Sequence, residues 1–127
     1  MKILVVDDME IEHVVATHAI KAFDDAIEVV SEYGAQEAMD KLKASETVPD
    51  LILLDINMPG MNGFDFLDEF AKLDPLPTIT IAMLSSSNQA SDIERCLEFP
   101  FVKHFFTKPL EPEHLTAVLN DLKNTNP

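Results

Sequence analysis

The sequence predicts a single α/β domain built on a doubly wound parallel sheet of five strands. Short apolar runs rich in β-branched residues alternate along the chain with segments whose apolar residues recur at helical spacing. The chain has 127 residues, of which 46% are hydrophobic, which suffices for one core but not for two. Strands that alternate with single helices join through right-handed crossovers, so we expect helices on both faces of the sheet.

Four apolar runs have the length and composition of strands, at residues 3–6, 27–30, 51–54 and 78–84. Three of them are apolar enough to be buried on both faces, as in a parallel sheet. A fifth strand is predicted at residues 102–106, although Lys103 and His104 interrupt its apolar side chains.

Five segments have the apolar spacing of helices that cover a sheet. The positions at this spacing are Ile11, Val14, Val15, His18 and Ala22; Ala35, Ala38, Met39 and Leu42; Leu67, Phe70 and Leu73; Cys96 and Leu97; and Leu115, Val118, Leu119 and Leu122. Residues 91–94 have the pattern of a capping box before the fourth helix, and Pro112 suits the first turn of the last one. The flavodoxin-like strand order 2-1-3-4-5 suits this (βα)5 chain, and it places strands 1 and 3 side by side at the switch point where ligands bind.

The charge of the chain argues against direct binding to nucleic acid. There are 23 acidic and 9 basic residues, which give a formal net charge of −14 and would repel a phosphate backbone. No run approaches the roughly 20 apolar residues of a membrane span, and the N-terminus lacks the layout of a secretory signal. We therefore expect a cytoplasmic protein without membrane insertion, and the single cysteine, Cys96, suits a reducing compartment as an ordinary apolar residue.

Polar side chains with complementary chemistry stand at the carboxyl ends of four predicted strands. Asp7 and Asp8 follow the first strand, Asp55 the third, Ser85 the fourth and Lys108 the fifth. Because these ends meet at one edge of a parallel sheet, three carboxylates, a hydroxyl and an ammonium group are expected to lie together.

Three clustered carboxylates need a positive partner, since a pair of like charges at about 4 Å costs about 4 kcal/mol at an effective dielectric constant near 20. Lys108 can offset one charge, and Mg²⁺ suits the remainder because it binds through one or two carboxylates and keeps several waters. Asp8 and Asp55 are expected as direct ligands, with Asp7 acting directly or through water. Asp55 beside such an ion is suited to attack a phosphoryl group and form an aspartyl phosphate.

These residues, with residues 53–63 (LLDINMPGMNG) and the Lys108-Pro109 pair, resemble the receiver domains of bacterial two-component response regulators. The similarity runs from Met1 to about Lys123. It implies a stand-alone receiver domain at residues 1–123, followed by a polar C-terminal tail at residues 124–127. It also implies that a sensor histidine kinase or a phosphotransfer protein supplies the phosphoryl group.

The resemblance assigns roles to individual residues. It implies that Asp55 is the phosphoacceptor, that Asp7 and Asp8 bind Mg²⁺, and that the backbone carbonyl of Asn57 completes the metal site. The side chains that hold the phosphoryl oxygens would be those of Ser85 and Lys108.

The family also implies a two-state switch and a surface that reports it. The hydroxyl of Ser85 would move toward the phosphoryl group. Phe105 stands where the family has an aromatic residue that turns inward in the same transition. The Lys108-Pro109 peptide bond is a candidate for the cis form. Output is expected on the face formed by the fourth helix, fifth strand and fifth helix, which could also mediate a homodimer. Residues 99–101 (Phe-Pro-Phe) lie beside it, either exposed for docking or buried under the neighbouring helix.

Other functions remain open at this point. The same site would serve a phosphorelay intermediate, or a receiver fragment of a longer regulator. An aspartate-nucleophile phosphatase needs an Asp-x-Asp pattern after the first strand, where this chain has Asp7, Asp8 and Met9. A flavin-binding redox domain needs a Ser/Thr/Gly-rich loop there, which residues 7–13 lack. The four histidines show no spacing typical of a transition-metal site and are interpreted as incidental.

Overall fold

The computed structural model describes residues 1–46 and 48–125, with side chains described as far as Leu122. The strands are β1 (Lys2–Val6), β2 (Glu28–Glu32), β3 (Leu51–Leu54), β4 (Thr80–Ser85) and β5 (Val102–Thr107). The helices are α1 (Glu10–Phe23), α2 (Ala35–Lys43), α3 (Gly63–Ala71), α4 (Ala90–Leu97) and α5 (Pro112–Thr125). All neighbouring strands are parallel in the order β2-β1-β3-β4-β5, which confirms the predicted fold. Within the described residues, no helix has the length and apolar character needed to cross a membrane.

The sheet separates two hydrophobic cores, because alternate residues of each central strand point to opposite faces. In β1, Leu4 and Val6 join the core that α2, α3 and α4 cover, whereas Ile3 and Val5 join the core under α1 and α5. All four residues of β3 are buried, as predicted for a strand covered on both sides.

Helix α1 packs with a different face from the one that its apolar spacing predicts. The side chains of Ile11, Val14 and Val15 are 58%, 54% and 38% exposed, whereas His13 and Ile20 are buried. On the buried face, Ala16 and Ile20 join the core shared with α5, and the ring of His13 hydrogen-bonds to the main chain at the end of β1. The predicted apolar stripe of α1 therefore faces solvent.

Helix ends follow the sequence signals in some places and depart from them in others. Helix α4 begins at Ala90 after an N-cap at Gln89, so the capping box expected at residues 91–94 does not form. The hydroxyl of Ser87 instead donates to the Asp92 carboxylate over 2.8 Å, which engages that first-turn side chain. Helix α5 begins at Pro112 as predicted and continues to Thr125, beyond the expected domain end at residue 123. The last two residues of the expected tail, 126 and 127, lie outside the described residues.

Helix α3 begins in close contact with the chain that leaves β3. Asn62 and Asp65 form a reciprocal capping box, and the N–H of Gly63 donates to the carbonyl of Ile56 over 2.8 Å. A Cβ atom at Gly63 would lie 2.5 Å from the carbonyl oxygen of Asp55 and 2.8 Å from the Cα of Ile56. Glycine is therefore required here by the closeness of two backbone segments, one of which carries Asp55.

We predict that Gly63→Ala lowers the free energy of unfolding by about 1 to 3 kcal/mol, because backbone atoms must shift to admit the methyl group. Urea denaturation followed by circular dichroism measures this change. Gly34→Ala is the control, since a Cβ there would meet only the flexible side chain of Glu37, and its cost should stay below about 1 kcal/mol. Equal effects of the two substitutions would contradict the role given to Gly63.

Candidate functional site

The strand register brings the predicted site residues to one edge of the sheet. Val6 pairs with Leu54, so Asp7 and Asp55, the residues that follow them, emerge side by side. Ser85 ends β4, and Lys108 directly follows β5. These positions agree with the strand ends inferred from the sequence.

Three carboxylates form the centre of the site. One oxygen from each of Asp7, Asp8 and Asp55 can be chosen so that all three lie within 4.8 Å of one another. Asp7 and Asp55 are only 3% and 5% exposed, while Asp8 is half-buried. Oxygen donors at this spacing, partly open to solvent at Asp8, fit a hard divalent cation such as Mg²⁺.

The ammonium group of Lys108 bridges the acidic residues. Its Nζ lies 2.6 Å from Oδ2 of Asp7, 3.6 Å from Oδ2 of Asp55 and 3.7 Å from Oε2 of Glu12. Burial lowers the pKa of Lys108, but the hydrogen bond to Asp7 and the charges of Asp55, Asp7 and Glu12 outweigh it, so the pKa stands above its ordinary value. Lys108 is therefore charged at neutral pH and offsets part of the negative charge.

The effect of burial on the pKa of Asp55 exceeds the effect of the charge of Lys108. Burial, and to a lesser degree the charge of Asp7, raise the pKa of Asp55 to about 6, although Lys108 and the main-chain N–H groups of Ile56 and Asn57 favour the ionised form. The charge of Lys108 therefore offsets the burial of Asp55 only in part, and further positive charge at the site would favour its ionised form. A divalent cation at the three carboxylates would supply it.

Asp7 is held at four of its atoms. Its Oδ1 accepts a hydrogen bond from the N–H of Met9 over 2.9 Å, and its Oδ2 accepts one from Lys108. Its own N–H donates to the carbonyl of Glu32 over 3.1 Å, and its carbonyl accepts from Nε2 of His13 over 2.7 Å. The carboxylate of Asp7 is therefore fixed in orientation before any ligand binds.

Two residues near the acidic centre, His13 and Glu12, are not identified as functional by the sequence analysis. His13 was interpreted as incidental, yet it is 3% exposed and contacts the main chain of Asp7. Its spacing with Ala16 and Ile20 on α1 is the signal that could have found it. Glu12 has no comparable signal, because its contact with Lys108 joins residues far apart in the chain.

The predicted switch residues lie on β4 and β5, the two strands that lead to Ser85 and Lys108. The hydroxyl oxygen of Ser85 accepts a hydrogen bond from the N–H of Ser87 over 3.2 Å, and the carbonyl of Ser85 accepts one from the N–H of Lys108 over 2.9 Å. Phe105 is half-buried on β5 against the core under α4, and the peptide bond between Lys108 and Pro109 is cis. Main-chain hydrogen bonding thus ties the end of β4 to the residue that carries the ammonium group.

Solved structures of similar overall fold belong to response regulators. A two-component response regulator from Cytophaga hutchinsonii is 29% identical, with a TM-score of 0.89 over 97% of this chain and 96% of that one. The chemotaxis protein CheY4 of Vibrio cholerae is 26% identical, with a TM-score of 0.77 over 95% of this chain and 97% of that one.

Curated relatives are longer proteins. The sensor histidine kinase CheAY of Helicobacter pylori is 27% identical over 117 residues, which are 92% of this chain and 14% of that protein. A protein-glutamate methylesterase/protein-glutamine glutaminase of Agrobacterium fabrum is 39% identical over 85 residues, which are 66% of this chain and 23% of that protein. The chain thus spans less than a quarter of the length of each of these two relatives. The activities in their names are those of the relatives.

The family model of the response regulator receiver domain matches residues 3–120. That range contains all five strands apart from the first residue of β1, and every residue of the acidic site. With this match and the five-stranded fold shared with response regulators, the chain belongs to the response regulator receiver domain family, the signalling domain of two-component systems.

Proposed function

We propose that this protein is a response regulator switched by phosphorylation of Asp55 beside a bound Mg²⁺. The observation that carries the proposal is the cluster of Asp7, Asp8 and Asp55 oxygens within 4.8 Å of one another, with Lys108 between Asp7 and Asp55. A carboxylate that must act as a nucleophile needs such positive charge nearby to accept an anionic phosphoryl group.

The metal would be held by Asp8, Asp55 and the main-chain carbonyl of Asn57, with Asp7 bound directly or through water. When bound, Mg²⁺ supplies charge neutralisation for a phosphoryl oxygen and lowers the pKa of the nearby carboxylates. The hard oxygen donors of the three carboxylates support this choice of ion.

The chain's own groups would carry the transfer. An oxygen of the Asp55 carboxylate attacks the phosphorus of a phosphohistidine, a P–O bond forms as the P–N bond breaks, and the imidazole leaves with the bonding electron pair. Lys108, whose Nζ already lies 3.6 Å from Asp55, donates to one phosphoryl oxygen as charge develops. Ser85 donates to another once its hydroxyl turns toward the group. Hydrolysis of the acyl phosphate resets the switch.

Signalling would follow from the movement of Ser85. Only one arrangement of its hydroxyl contacts the phosphoryl group, so phosphorylation shifts the population toward that arrangement. Phe105 would respond because it lies on β5, which pairs with the strand that ends at Ser85. The output face would be formed by α4, β5 and α5, and a homodimer through this face is part of the same proposal.

The segment beside this face offers a limited apolar contact. Phe101 is buried and packs on Phe70 with ring centroids 4.7 Å apart, whereas Phe99 is half-buried and Pro100 is exposed. Of the two arrangements that the sequence left open, burial therefore describes Phe101, and exposure describes Pro100.

The phosphoryl donor would be a sensor histidine kinase or a phosphotransfer protein in the cytoplasm. A phosphorelay intermediate is the second candidate, since the same Asp55 site would serve it. The two are distinguished by incubating the phosphorylated protein with histidine-containing phosphotransfer domains. Transfer onward from Asp55 indicates a relay, and loss of the phosphoryl group only by hydrolysis indicates an output regulator.

Incubation with a small acyl phosphate and Mg²⁺ should add one phosphoryl group to the wild type, as measured by intact mass. Asp55→Asn should show no adduct, because an amide is not a competent nucleophile here. Asp68→Asn, which removes an exposed carboxylate on α3, is the matched control and should be phosphorylated as the wild type is. A full-yield adduct on Asp55→Asn would exclude Asp55 as the acceptor.

The raised pKa of Asp55 predicts a pH dependence of stability in the metal-free protein. Between about pH 4 and about pH 6 the folded protein retains a proton on Asp55 that the unfolded chain has released, so this group's contribution to stability falls as the pH rises. The loss should be on the order of 2–3 kcal/mol relative to Asp55→Asn, which does not ionise.

Urea denaturation in EDTA across this pH range measures the difference between the wild type and Asp55→Asn. The difference should grow with pH and shrink again when Mg²⁺ is added at neutral pH. A difference that stays constant from pH 4 to about pH 7 would contradict the raised pKa of Asp55 in the folded protein.

Ser85→Ala should separate phosphorylation from its conformational effect. The variant retains Asp55 and Lys108, so the adduct should still form, but the hydroxyl that distinguishes the two states is gone. Hydrogen-exchange mass spectrometry should show phosphorylation-dependent changes in β5 and α4 of the wild type but not of Ser85→Ala. Ser86→Ala, at the neighbouring exposed position, should behave as the wild type does.

A further inference from the structure

His13 is a buried polar residue that none of the steps above uses. It lies on the inner face of α1, is 3% exposed, and its Nε2 lies 2.7 Å from the carbonyl oxygen of Asp7. A carbonyl oxygen only accepts hydrogen bonds, so Nε2 carries the proton and donates. The other ring nitrogen, Nδ1, is buried without a hydrogen-bond partner among the described residues.

This arrangement does not reduce the number of unpaired buried polar atoms. With His13 present, the Asp7 carbonyl is paired and Nδ1 is not; with an apolar side chain at position 13, the carbonyl would be left unpaired instead. Each unpaired buried group costs about 1 to 3 kcal/mol, so the two alternatives are of similar cost. The specific effect of His13 is therefore on the orientation of the Asp7 peptide group.

The Asp7 carbonyl belongs to the peptide unit that joins Asp7 to Asp8, where the chain has already left β1. Both flanking side chains contribute an oxygen to the acidic cluster. Rotation of this peptide unit would displace both carboxylates together. The hydrogen bond from His13 opposes that rotation.

The ring of His13 also packs against an aromatic ring at the surface. Tyr33 packs on it with ring centroids 4.3 Å apart, and Tyr33 is 48% exposed beside the N-terminal turn of α1. The hydroxyl of Tyr33 interacts with the carboxylate of Glu10, which raises the pKa of Tyr33. The imidazole is thus clamped between a main-chain acceptor and an aromatic ring.

We propose that His13 is a positioning residue of the Mg²⁺ site, where its Nε2–H group holds the Asp7 to Asp8 peptide in the orientation that the ion requires. The inference rests on the proposed function, since it concerns affinity for that ion. Groups that orient metal ligands through hydrogen bonds typically contribute 10- to 100-fold to metal affinity.

The test uses a pair of isosteric variants. In His13→Gln the side-chain amide nitrogen can reach the place of Nε2, whereas in His13→Asn it reaches only the place of Nδ1 and cannot contact the Asp7 carbonyl. Titration calorimetry of the EDTA-treated full chain with MgCl2 should show a Kd about 10-fold higher in His13→Asn and close to the wild-type value in His13→Gln. Equal Kd values in the wild type and His13→Asn would overturn the proposal.

A second readout separates positioning from chemistry. With a small acyl phosphate as donor, the Mg²⁺ concentration that gives half the maximal phosphorylation rate should rise about 10-fold in His13→Asn, while the rate at saturating Mg²⁺ changes by less than about two-fold. An unchanged Mg²⁺ dependence, or a loss that saturating Mg²⁺ does not restore, would overturn the positioning role.

Urea denaturation establishes that both variants fold. If His13→Asn does not fold, Tyr33→Ala replaces it, because it removes an exposed ring and loosens His13 without leaving a buried hole. That variant should bind Mg²⁺ more weakly than the wild type, and an unchanged Kd would overturn the inference. Failure of the wild type itself to bind Mg²⁺ would overturn the proposed function, which separates that outcome from failure of the role of His13.

Discussion

The functional site depends on the burial of carboxylates that the sheet holds close together at one edge. Asp7 and Asp55 are almost fully buried, and the single ammonium group of Lys108 lies between them. Burial raises the pKa of Asp55 to about 6 although the charge of Lys108 lowers it. Further positive charge would favour the ionised form of Asp55, and under the proposed function a divalent cation at the three carboxylates would supply it. Local stability and function are opposed here, as at many functional sites.

The fold maintains this unfavourable arrangement by rigid contacts around it. Asp7 is bound through both carboxylate oxygens and both main-chain polar groups, and α3 begins so close to β3 that Gly63 has no room for a side chain. Central strands buried on both faces give these contacts a stiff base. Preorganised ligands lose little freedom on binding the ion, so more of the interaction energy is available for affinity.

The site is also connected to the elements on two sides of it along the edge of the sheet. On one side, Ser85 and Lys108 share a main-chain hydrogen bond that joins β4 to the loop after β5, toward the proposed output face. On the other side, the Asp7 carbonyl is joined through His13 to Tyr33 at the surface of α1.

The sequence by itself determined the order of strands and helices and the residues at the strand ends. Apolar runs and the polar residues that terminate them are local features, so Asp7, Asp55 and Lys108 could be placed at one edge without knowledge of any contact. The parallel topology then required these ends to meet.

Two stripes of α1 have helical spacing, one through Val14 and one through His13, Ala16 and Ile20, and only the tertiary structure decided which of them is buried. The stripe that contains Val14 faces solvent, whereas Ala16 and Ile20 pack in the core and His13 contacts the end of β1. Spacing within one helix describes its own faces but not its rotation relative to a sheet. That rotation is set by contacts between residues distant in the chain, which no local pattern records.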